Sequence, residues 1–165
     1  MVEKEVWTKK GHSDYPDILS HLAFTMMIEK RPFDPRKDSL PQELTTELVN
    51  RKLLVDRGDV LEFRHDRVRA YLASKHFSQR WRKLLTDEKT MVDQNWDAML
   101  EFYVASAGAN PEDASQTKTL LLLLLKKDMD AAIRLNTWAL RNRSELFANW
   151  QDDFKLGIGS SVLGG

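Results

Sequence analysis

The sequence predicts a mainly α protein in which one short β-hairpin interrupts a series of helices. Three observations lead there. Apolar residues recur at helical spacing in several segments separated by proline, glycine or polar breaks. Two short β-prone runs flank a charged turn at Gly58. Seven Phe and five Trp supply large apolar groups for a packed core, which argues against disorder throughout.

Residues 1–16 read as a polar lead-in, with Gly11 and Pro16 as breakers. From Asp17, the residues Ile18, Leu19, Leu22, Ala23, Met26 and Met27 form one face of a helix ending near Lys30, before Pro32. Two prolines and several charges make 31–39 a connection. Ser39 or Pro41 opens a second helix with Leu44, Leu48 and Leu53 inside. Glu43 sits in its first turn, where the helix dipole favours an anion. Leu53 to Phe63 is the hairpin, turning at Gly58.

His65 or Asp66 caps a third helix, carrying Val68, Tyr71, Leu72, Phe77 and Trp81 and running to about Leu85. A polar break at 86–90 leads to a helix over about Met91–Ala107, which Gly108-Ala109-Asn110-Pro111 ends. Another helix starts at Leu120–Leu125, holds Lys126, Lys127 and Asp128 in its middle, and continues to Leu140. A last helical piece covers 143–155. The small residues from Gly157 to Gly165 read as a loose tail.

Helix, helix, hairpin, helix over 17–77 is the order of a winged-helix-like unit, and the later helices form a bundle. The expected organisation is a lead-in at 1–16, a winged-helix-like domain at 17–85, a helical domain at 86–156 and a flexible tail at 157–165.

Composition narrows the function classes. Twenty-five basic and 25 acidic side chains cancel, so no global field points to nucleic acid or an anionic membrane. Cysteine is absent, which excludes disulfides, thiolate metal sites and a cysteine nucleophile. The longest apolar run, Leu120–Leu125, is far short of the roughly 20 residues that span a bilayer. No signal-like apolar stretch opens the sequence. A soluble, cytoplasmic chain with no membrane partner is the expectation.

Enzymatic motifs are missing. The sequence contains no Gly-x-x-x-x-Gly-Lys-Ser/Thr loop, no Gly-x-Gly-x-x-Gly and no Gly-x-Ser-x-Gly elbow. No His-x-x-x-His pair occurs among His12, His21, His65 and His76. One alternative is an HD-type metal phosphohydrolase. There, His65-Asp66 with His21 and Asp128 or Asp130 would hold a divalent ion that activates water. A second is a winged-helix nucleic-acid binder using the basic stretch Arg64, Arg67, Arg69, Lys75, Arg80, Arg82 and Lys83. Interspersed charges of this kind more often form a solvated face, or pair with Asp56, Asp59, Glu62, Asp66 and Glu88. Taken by itself, His65 reads as a helix-start residue whose imidazole hydrogen-bonds locally.

The segment Phe63-Arg64-His65-Asp66-Arg67-Val68-Arg69-Ala70-Tyr71-Leu72-Ala73-Ser74 resembles a signature of NACHT-type STAND NTPases. That signature runs Phe-x-His-x-x-(hydrophobic)-x-(Glu/Ala)-(Tyr/Phe)-Leu-Ala-Ala and closes the winged-helix domain that follows the nucleotide-binding core. The upstream helix from Leu40-Pro41, the hairpin, and Asn95-Trp96 through Phe102 are similar to the same region, over about residues 17–105. The resemblance implies a non-catalytic regulatory fragment of a larger signalling switch. It makes Phe63, Tyr71, Leu72 and Trp96 structural motif residues. It implies that His65 contacts the phosphate of bound ADP in the parent and helps to lock a closed state. The chain itself, lacking a P-loop, would carry no cofactor; ADP or ATP would belong to the parent. Its partner would be the parent's nucleotide-binding domain, with oligomerisation of the parent.

Overall fold

A computed structural model of the chain describes residues 14–34, 38, 40–147 and 154–159. Helix α1 spans Tyr15–Glu29 and buries Leu19, Leu22, Ala23, Met26 and Met27. It begins two residues before Asp17, because Pro16 fits a first turn whose N–H groups have no intrahelical acceptor. Lys30 closes it in the left-handed region at φ 54°, donating its N–H to the Met26 carbonyl.

The connection after α1 carries structure that its prolines concealed. Phe33 is buried, and its N–H and C=O both bond Leu61 at 2.8 Å. Arg31 holds the loop by donating to both carboxylate oxygens of Asp38, at 2.7 and 2.8 Å, while also pairing with Glu29. The hydrogen bonds to Asp38 and then Glu29 push the Arg31 guanidinium above its ordinary value, so it stays charged.

Helix α2, Gln42–Asn50, places Leu44 and Leu48 inside. Strands β1, Leu54–Asp56, and β2, Leu61–Phe63, pair antiparallel with Leu54 opposite Phe63 and Asp56 opposite Leu61. Leu61 thus has a partner on each side, Asp56 and Phe33. At the turn, Gly58 adopts φ 97°, a conformation costly for a side chain with a Cβ, and donates its N–H to Asp56 Oδ1 at 2.8 Å. Helix α3 covers Asp66–Thr86. The order of elements is the expected one: mainly helical, with a single two-stranded hairpin among the described residues.

Two compact units divide the chain at Met1–His76 and Phe77–Gly165, so the division falls inside α3, whereas the periodicity placed it near residue 85. In the second unit Phe77 meets the edges of Trp96 at 6.0 Å and Tyr103 at 5.5 Å. Trp81 also lies edge-on to Tyr103, at 6.3 Å. Burial raises the Tyr103 phenol above its ordinary value of 10.0.

Three helix limits in this unit differ from those expected. The helix read from Met91 is a short 3-10 turn, Gln94–Trp96, followed by α4, Asp97–Ser106. Asp93 stops it from starting earlier: its backbone is extended and its carboxylate accepts the Asn95 N–H at 2.9 Å. Helix α5 is Pro111–Lys127, nine residues longer at its start than the leucine run suggested. Asn110 Oδ1 accepts the Asp113 N–H at 2.9 Å, and Asn110 Nδ2 donates to Asp113 Oδ2 at 2.9 Å. Pro111 occupies the first turn. The helix expected to run through Asp128 breaks there, and α6 spans Met129–Asn142. Asp128 is extended and accepts the Ala131 N–H at 3.2 Å.

Helices α5 and α6 bury Leu120, Leu121, Leu124 and Leu125 on one, and Ala131, Ala132, Leu135 and Ala139 on the other. Arg134 on α6 binds both oxygens of Asp97 at the start of α4, at 2.9 and 3.2 Å. Arg143 Nη1 donates to the Val104 and Ala105 carbonyls that end α4, at 2.9 and 3.0 Å. Its Nε donates to Glu145 in the short helix α7, Ser144–Phe147. Residues 154–159 are helical too, which corrects the loose tail expected from Gly157. Phe154 is buried there, and a Cβ on Gly157 would lie 2.7 Å from Leu125, so packing on α5 orders this piece. The expected helix over 148–153 and the tail from 160 lie outside the described residues.

Candidate functional site

The junction of β2 and α3 is where the sequence placed its candidate histidine. Strand alternation sends Leu61 and Phe63 inward and Glu62 and Arg64 outward. The Arg64 N–H donates to the Leu53 carbonyl at 2.9 Å, extending the hairpin ladder past the strand. The His65 carbonyl accepts the Arg69 N–H at 3.2 Å, which starts α3. His65 is therefore held by backbone bonds on both sides while its side chain is exposed. The imidazole has no hydrogen-bond partner among the described residues; the helix-start bond is made by the backbone instead.

The side chains around it are mostly cationic. Arg64 and Arg67 are exposed, and Asp66, 89% exposed, lies 3.7 Å from Arg69 Nη2. Glu62 is engaged by Arg57 at 3.3 Å rather than by the arginines that follow it. Arg69 Nε is buried without a hydrogen bond, so this arginine serves packing as much as charge.

The other motif residues are mainly interior. Phe63 is 8% exposed, Leu72 2% and Trp96 2%, while Tyr71 is half-buried under the Lys75 ammonium, 5.0 Å from the ring centre. Within the basic stretch, the Arg82 guanidinium lies over the Trp81 ring at 4.5 Å.

Of the residues in the metal-hydrolase alternative, His21 and Asp128 are engaged elsewhere. His21 packs edge-on against His76, ring centres 4.8 Å apart, and Phe24 touches His76 at the same distance. Asp128 caps α6. Among the described residues no three His, Asp or Glu side chains are placed to hold a metal ion. A cavity of about 370 Å³ opens between α2 and the hairpin turn, lined in part by Phe33, Leu40, Thr46, Val49 and Asp56; His65 does not line it.

Two features escaped the reading of residue types. Phe33 was hidden between prolines. The accessibility of Arg64 was implicit in the alternation of β2, since it follows a buried Phe63.

No protein family matches this sequence, and no curated protein or solved structure matches it significantly. Among the described residues, no helix is long and apolar enough to cross a membrane.

Proposed function

We propose that this chain is a non-catalytic regulatory segment of a NACHT-type STAND NTPase, acting by packing against a nucleotide-binding core and contacting its ADP through His65. The reading rests on the resemblance of Phe63–Ser74 to that family's winged-helix signature. One structural observation supports it above the rest. His65 is exposed, lacks a polar partner among the described residues, and is fixed from both sides by backbone bonds. The backbone beneath the imidazole is already ordered, so only the side-chain torsions lose freedom on meeting a phosphate oxygen, and a charge-assisted bond of this kind is the stronger sort.

Such a contact controls activation if it exists in the closed state and is absent in the open one. The core, its ADP or ATP, and oligomerisation belong to the parent in this account, which works in the cytoplasm. The test is His65→Ala in a protein joining this chain to its nucleotide-binding core. ADP should be released about tenfold faster or more, as expected for losing one hydrogen bond to a charged group. Unchanged ADP release would defeat the reading.

A further inference from the structure

Most of the arginines among the described residues are occupied. Arg31, Arg51, Arg57, Arg69, Arg134 and Arg143 face carboxylates, and Arg82 lies over Trp81. Arg67 and Arg80 also have interactions. Among the described residues, that leaves Arg64 and Arg141 with no hydrogen bond, ion pair or ring contact for their side chains, and both are exposed. Arg141 lies near the end of α6, where a cation suits the helix dipole. Arg64 has no such local explanation, and it adjoins His65.

We infer that Arg64 and His65 together form a phosphate-binding site, in which the Arg64 guanidinium supplies the fixed charge and His65 the second donor. This inference rests on the proposed role of His65 and names the residue that shares it. A guanidinium always carries its charge and presents parallel N–H donors that match two phosphate oxygens, whereas a neutral imidazole offers one donor. The Arg64 N–H bond to Leu53 fixes the backbone that carries the side chain. Across 64–69 there are three arginines and one carboxylate, and that carboxylate, Asp66, has Arg69 beside it. The local charge therefore favours an anion although the whole chain is neutral.

The test uses the 165-residue chain and inorganic pyrophosphate, followed by backbone-amide and imidazole NMR shifts at constant ionic strength. Wild type should bind weakly, with shifts centred on residues 64–67. Arg64→Ala should weaken binding by about tenfold, the loss of one charge-assisted contact. Arg64→Lys should recover part of that loss, and Arg141→Ala should change it by less than about twofold. No shifts at 64–67, or equal losses from Arg64→Ala and Arg141→Ala, would overturn the site. If His65→Ala abolished binding while Arg64→Ala left it unchanged, the inference would fail and the role of His65 would stand. If pyrophosphate bound as expected but His65→Ala left ADP release in the longer protein unaltered, the site would stand and the proposed function would fail.

Discussion

The start of α5 and the start of α3 are both helix beginnings in one chain, and they are built to different ends. At α5, Asn110 and Asp113 bond each other reciprocally, Pro111 removes a donor that had no acceptor, and the Gly108 N–H joins at 3.2 Å. The chain consumes its own polar groups there. At α3, the backbone is tied down equally well, but the Arg64 and His65 side chains remain exposed and unengaged among the described residues. Under the proposed function, this local order without local use leaves both side chains available to another molecule. The difference separates residues that hold the fold from residues that the fold holds out.

That separation can be broken by substitution, starting with the largest effect. Trp96, 2% exposed and edge-on to Phe77, belongs wholly to the fold. Trp96→Ala should destabilise by about 3–5 kcal/mol in denaturant unfolding, through lost burial and a residual cavity. Next is Arg143, which serves two carbonyls of α4 and Glu145. Arg143→Ala should cost about 1–3 kcal/mol. The hydrogen bond from Arg143 lowers the Glu145 carboxyl below its ordinary 4.5. Because the folded value is the lower one, the ion pair contributes fully above the ordinary value and is lost as pH falls through the lowered one. The gap between wild type and Arg143→Ala should therefore narrow in acid.

Gly108→Ala places a Cβ 2.3 Å from Asp113 Oδ2, forcing the carboxylate out of the α5 cap. A loss of about 1 kcal/mol in thermal unfolding is expected. Asn110→Ala should cost a similar amount and add little to it, since both break one cap. The smallest effects should come from Arg64→Ala and His65→Ala, each within about 0.5 kcal/mol of wild type. Losses above about 2 kcal/mol there would return both residues to the fold and erase the contrast.

Much of the architecture was legible from spacing. The hairpin at Leu54–Phe63 and the long helix after it followed from β-prone runs around Gly58 and from apolar periodicity through Trp81. The misjudged limits share a physical cause: they are set by short polar caps rather than by apolar pattern. Asn110-Pro111-Glu112-Asp113 spells a helix start that a search for apolar stripes passes over. Lys126-Lys127-Asp128 likewise joins a basic last turn to a new cap, inside what looks like one apolar repeat. Phe33 was illegible for a different reason, since a single bridge residue has no periodicity to detect. As for the candidate site, His65 stood out only by resemblance. That its imidazole is exposed could not be read from strand alternation, which would place residue 65 on the face of the buried Phe63; the chain leaves the strand at Arg64 before α3 begins.

The most direct measurement is a structure of the protein that joins this chain to its nucleotide-binding core, solved with ADP bound. The account predicts a His65 ring nitrogen about 2.7–3.2 Å from a phosphate oxygen, with the Arg64 guanidinium on the same phosphate. A bound ADP whose phosphates are met by neither residue, with His65 still facing solvent, would contradict it.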